Sequence, residues 1–122
     1  MVEVMDLRIS DMLDMQKELY ALHEGEWFPL EPEHGRNYIL FMIEEIGEAI
    51  AILKKKGDRA VLENNHVRSA FLEEMADVLM YYNDILLRYH ITSEEISEAY
   101  ARKHIRNTGR NYAEEYKEKY HG

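Results

Sequence analysis

From His66 to Tyr89 the chain is apolar in almost every helical direction but one, and this narrows the folds open to it. At about 100° per residue, Phe71, Met75, Val78, Tyr82, Ile85 and Tyr89 make one stripe, extended by Leu72, Leu79 and Leu86. Met80 and Leu87 lie nearly opposite. A helix of this kind belongs at the centre of a bundle, packed on several sides. Its one polar column is Glu74, Asp77, Tyr81, Asp84 and Arg88. Such a column cannot be hidden without cations or basic partners, because an unpaired buried charge is costly.

The rest of the chain reads as helical too. The only prolines, Pro29 and Pro32, share one short loop, and no alternating Val/Ile/Thr-rich run suggests a strand. A first helix is expected from Asp6 or Ser10 to His23, with Ile9, Met12, Leu13, Gln16, Leu19 and Tyr20 on one side. After the loop 25–32, a second helix covers His34 to Lys56 and stops at Gly57 behind three lysines that suit a helix C-terminus. Asp58 to Asn65 reads as a connector, and the central helix follows. Thr92 with Glu95 forms a capping box for a fourth helix, stapled by Ile91 and Ile96 and ending near Asn107-Thr108-Gly109. Tyr112 to Tyr120 is a polar tail. A chain of 122 residues suits one domain, so a single all-α domain over 1–122 is expected, with a tail at 111–122.

Charge and composition remove several function classes. A net charge of −9 argues against a nucleic-acid polymer as partner, since a surface that follows phosphates should be basic. Nucleotides stay open, because a bound metal reverses the local sign. The absence of cysteine excludes disulfides and thiolate metal sites. The start Met-Val-Glu-Val-Met-Asp lacks the features of a signal peptide, and no segment approaches the roughly 20 apolar residues of a membrane span. A cytoplasmic protein without membrane contact is expected.

Two acidic segments carry the chemistry. Glu44-Glu45-Ile46-Gly47-Glu48 and Glu73-Glu74-Met75-Ala76-Asp77 each place two carboxylates one helical turn apart, Glu45 with Glu48 and Glu74 with Asp77. If the helices face each other, four acids converge, and an oxygen-only set of this kind suits magnesium, with manganese as an alternative. On the second helix the expected buried stripe is Ile39, Met42, Ile43, Ile46, Ile50 and Leu53. Glu45 and Glu48 lie away from it, which also fits a plain solvated face. They share a column with Phe41 and Ile52, however, and that favours a cleft-lining face. On the fourth helix the stripe opened by Ile96 and Tyr100 is expected to point inward and to turn polar at Lys103 and Asn107, with Arg110 beyond. Two cations and an amide are what a polyphosphate needs, although the same residues would suit a solvated helix end.

Glu45-x-x-Glu48, Glu74-x-x-Asp77 and Lys103-x-x-x-Asn107-x-x-Arg110, in that order, resemble the MazG-type nucleoside triphosphate pyrophosphohydrolases. So do the surrounding runs Ile43-Glu44-Glu45-Ile46-Gly47-Glu48-Ala49 and Glu73-Glu74-Met75-Ala76-Asp77-Val78-Leu79. The likeness spans Ile39 to Arg110. It implies an antiparallel four-helix bundle-like domain that binds magnesium and cleaves nucleoside triphosphates between the α and β phosphates. It implies metal ligation by Glu45, Glu48, Glu74 and Asp77, and phosphate binding by Lys103, Asn107 and Arg110. Glu45, Glu48 and neighbouring Glu44 are candidates for the general base. Phosphoribosyl-ATP and dUTP- or dCTP-type pyrophosphohydrolases share the acidic motifs, and the Lys103/Asn107/Arg110 set favours the MazG-like branch. The stretch 57–65 reads as an added loop.

Tyr81, one turn beyond Asp77, and Trp27 in the proline loop are candidates to stack on a base; His23 and Gln16 read as structural or interface residues. Two rivals are weighed. A di-iron carboxylate bundle would use Glu31-x-x-His34 and Glu63-x-x-His66, but Pro32 interrupts the first and both flank helix starts. A non-enzymatic helical interaction protein explains the apolar helices and leaves the acidic columns unexplained. Surplus apolar surface at Leu72, Met80 and Leu87 predicts a homodimer or homotetramer.

Overall fold

The computed structural model describes residues 5–109 and 112–120. Among these the chain is helical throughout its regular structure, with α1 at Ile9–Leu22, α2 at Gly35–Lys56, α3 at Asp58–Glu63, α4 at Asn65–Arg88, α5 at Ser93–Thr108 and α6 at Tyr112–Tyr120. A single 3-10 turn, Pro32–His34, leads into α2. The chain divides into two compact units, Met1–Thr92 and Ser93–Gly122. No helix of the described residues is long and apolar enough to cross a membrane.

Local sequence accounts for the helix ends. Asp11 accepts the backbone N–H of Arg8 at 2.9 Å and caps the start of α1. Gly57, at φ 85°, ends α2 in a conformation that side chains rarely adopt. The stretch expected as a connector is instead the short helix α3, which buries Val61. Asn64 then caps α4 by accepting from the N–H groups of His66 (3.0 Å) and Val67 (3.1 Å).

In the first unit, α2 and α4 form the most extensive contact, while α1 and α3 also pack on α4. Their pairing is antiparallel: Tyr38 lies against Arg88, Phe41 near Tyr81, and Glu48 near Glu74. Early residues of one helix therefore meet late residues of the other. The central position expected for α4 holds, with Val67, Asn83, Asp84, Leu86 and Arg88 buried.

The face through which α2 packs differs from the expected one. Most of the stripe on α2 that was expected to be buried faces outward: Ile43 is 54% and Ile50 50% exposed, Ile39 and Ile46 are exposed as well, and Met42 and Leu53 are half-buried. Glu45 and Ala49 instead turn toward α4. The helix is amphipathic, but this chain packs it through the face that carries the acids. On α4, Leu72, Met75, Leu79 and Tyr82 are exposed too. In the second unit, of the two residues that open the expected α5 stripe, Tyr100 is 78% exposed and Ile96 is half-buried.

Candidate metal centre and adjoining cleft

Antiparallel packing brings the two acidic segments to the same level. Glu45, Glu48 and Glu74 each offer a carboxylate oxygen, and these atoms all lie within 4.8 Å of one another. Among the described residues this is the one group of three or more acidic or histidine side chains close enough to share a cation. Glu48 is exposed, while Glu45 and Glu74 are half-buried. Asp77, the fourth expected ligand, lies outside this set but close enough for its charge to act on Glu48 and Glu74. The residues of the di-iron rival, Glu31, His34, Glu63 and His66, form no such cluster.

Mutual repulsion leaves its mark on proton affinity. The Glu48 carboxyl is raised above the ordinary carboxylate range chiefly by a hydrogen bond with Glu74, and further by the charges of Glu74 and Asp77. Glu74 is raised mainly by burial, then by its hydrogen bond with Glu45. Its Oε2 atom is shut away from solvent, and no donor reaches it. An orphaned acceptor of this sort is uncommon in a folded protein. Its neighbours are themselves carboxylates, so a shared proton or a cation would answer it. An oxygen-only donor set of this kind could hold a hard cation.

A stability prediction follows. Raised folded-state pKa values mean that the metal-free protein holds more protons than the unfolded chain just above the ordinary carboxylate range. Its stability should therefore fall as pH rises through that window. Magnesium should raise the melting temperature by about 3–8 °C at about pH 7.5, and by progressively less toward about pH 5, where protons compete. Differential scanning fluorimetry with and without chelator measures this. A gain that is absent, or larger in acid, would contradict a cation site here.

Beside the carboxylates opens a cleft of about 330 Å³. From α1 come Gln16, Leu19 and Tyr20, from the loop Trp27, and from α2 Tyr38 and Glu45. Asp77, Met80, Tyr81 and Asp84 of α4 complete it. Glu45 and Asp77 thus belong to the acidic end and to the cleft together. Tyr81 is tilted against Tyr38 and Phe41, with ring centroids 6.2 Å away in each case. Both aromatic residues expected to meet a base, Tyr81 and Trp27, line this space.

Gln16, read from sequence as a structural or interface residue, is buried and lines the cleft. Tyr20, Tyr38 and Asp84 were missed as well. Gln16 and Tyr20 share the side of α1 that the sequence marks with Ile9, Met12, Leu13 and Leu19, but nothing in the sequence said that this side borders a cleft. Lys103 and Asn107 are exposed residues of α5 in the second unit, and Arg110 lies outside the described residues. Comparison of the chain with protein-family models, curated proteins and solved structures returns no match.

Proposed function

We propose that the protein is a magnesium-dependent nucleoside triphosphate pyrophosphohydrolase that releases a nucleoside monophosphate and pyrophosphate. The observation carrying this reading is the junction of the Glu45/Glu48/Glu74 cluster with an aromatic cleft through Glu45 and Asp77. A nucleotide has the same two-part chemistry, a polyanion joined to a flat heterocycle. The motif resemblance from Ile39 to Arg110 supports the same conclusion.

In this reading Glu45, Glu48 and Glu74 would hold magnesium, with Asp77 beside them as the fourth acid. Magnesium bound there would neutralise phosphate charge and lower the pKa of a water. The water oxygen forms a bond to the α-phosphorus, and the bond from that phosphorus to the α–β bridging oxygen breaks. The electron pair leaves with pyrophosphate. A carboxylate takes the proton of the water; Glu48, Glu45 and Glu44 are the candidates. Trp27 and Tyr81 flank the base, while a phosphate-binding role for Lys103, Asn107 and Arg110 rests on the motif resemblance alone. A panel of nucleoside triphosphates incubated with magnesium tests the proposal. Pyrophosphate should appear, without orthophosphate, and phosphoribosyl-ATP, dUTP and dCTP in the panel separate the related activities. No pyrophosphate from any of them would sink it.

The reading includes a homodimer or homotetramer. Ile39, Ile43, Ile46 and Ile50 recur at steps of four and three, as do Leu72, Met75, Leu79 and Tyr82, and all are exposed. This is the seam pattern of helices that pack against further helices. A second copy offers a matching seam. Analytical ultracentrifugation should show a dimer or tetramer, and Ile43→Glu should shift it toward monomer. Only monomer for the unaltered chain would contradict this part.

A further inference from the structure

Arg88 is wholly buried, and neither the metal centre nor the phosphate motif uses it. A buried guanidinium needs its donors answered. Its Nε donates to Asp84 Oδ1 at 2.6 Å, and Nη1 donates to the Pro29 carbonyl at 2.6 Å. Nη2 donates to the Tyr20 hydroxyl at 2.9 Å and, more weakly, to the Phe28 carbonyl at 3.5 Å. Its carbon lies 3.6 Å from the centre of the Tyr38 ring, a close cation–π contact. Tyr20 in turn donates its hydroxyl to Asp84 Oδ2.

One side chain thereby ties together α1, the proline loop, α2 and α4. Every side chain it grips, namely Tyr20, Tyr38 and Asp84, lines the cleft. The two carbonyls it grips directly follow Trp27 in the chain, and Trp27 is the wall that the loop contributes. The indole is stacked on His23 at 4.1 Å with a 9° interplanar angle, so one of its faces is already covered. Where the loop sits decides where the other face points.

We propose that Arg88 is a positioning residue for the cleft, clasping the Trp27 loop onto α4 so that the aromatic walls stand ready for a planar heterocycle. The proposal rests on the functional reading only in placing the base of the substrate in this cleft. It assigns Arg88 no contact with the ligand. The rigidity of the clasp should show in affinity, since walls fixed before binding need no ordering afterwards.

Trp27 is the only tryptophan, which makes its fluorescence a reporter of this wall alone. The probes are adenosine, guanosine, cytidine and uridine without metal, which separates heterocycle binding from hydrolysis. The unaltered protein should show saturable quenching with at least one of them. Arg88→Lys keeps the charge and loses the fork. It should weaken that nucleoside by about tenfold or more, as expected from losing charge-assisted hydrogen bonds, and should open Trp27 to acrylamide. Tyr20→Phe keeps the ring and removes the bridging hydroxyl; a smaller loss of affinity in the same direction is expected, with circular dichroism unchanged. With the matching triphosphate, Tyr20→Phe should raise KM about fivefold and leave kcat within about twofold.

If Arg88→Lys does not fold, Tyr20→Phe decides. Nucleoside affinity and acrylamide quenching equal to the unaltered protein in the folded variants would overturn the clasp. So would the absence of nucleoside quenching in the unaltered protein, even where pyrophosphate release is observed. Quenching that responds to the variants without any pyrophosphate release would keep the clasp and sink the hydrolase reading.

Discussion

Glu48→Gln is expected to cut pyrophosphate release by at least about 100-fold, because it removes a charge from the set that would hold the metal. The substitution preserves shape and length, and Glu48 is exposed, so the helical circular dichroism should not change. Asp77→Asn should do the same through the fourth acid. Glu73→Gln is the matched control. Glu73 is the exposed acid beside Glu74 but lies outside the cluster, and its loss should alter the rate by less than about twofold. Equal effects at Glu48 and Glu73 would point to bulk charge. Activity surviving both Glu48→Gln and Asp77→Asn would remove the enzymatic reading.

Asp84→Ala should be the most damaging single substitution for stability. Asp84 is 1% exposed and accepts from both Arg88 and Tyr20. Its removal takes the carboxylate countercharge from a wholly buried guanidinium, a loss of about 3–5 kcal/mol, or about 10–20 °C in melting temperature for a chain of this size. The exposed pair of Arg59 and Glu63, 3.5 Å apart, gives the contrast. Arg59→Ala should cost no more than about 1 kcal/mol, since solvent screens such pairs. Thermal melts of the two variants measure the difference. If Asp84→Ala melts no lower than Arg59→Ala, the buried network is not what holds these helices together.

Helix periodicity made much of the first unit legible. The column Glu74, Asp77, Tyr81, Asp84 and Arg88 was visible as the polar exception on α4, and it does face the packed side. What periodicity could not decide was the direction of α2. Its isoleucine stripe is the stronger apolar signal, so it was expected inward. The acids face α4 instead; periodicity shows that a helix is two-faced and not which face its neighbour takes. The Asp84–Arg88 spacing was also readable, one turn apart on one helix. Its partners at Phe28 and Pro29 were not, since main-chain carbonyls look alike at every position. α3 was hidden by its brevity, at six residues, and Gln16 by the lack of any pattern tying α1 to the cleft.

The hold of Arg88 on the loop passes through the carbonyls of Phe28 and Pro29 and not through their side chains. An anchor of that kind is blind to residue identity. Substitutions could accumulate around Trp27 while the loop keeps its seat, so the cleft could acquire a new ligand preference over generations without the helices being rebuilt. The loop is in this sense an exchangeable cassette mounted on a fixed bracket.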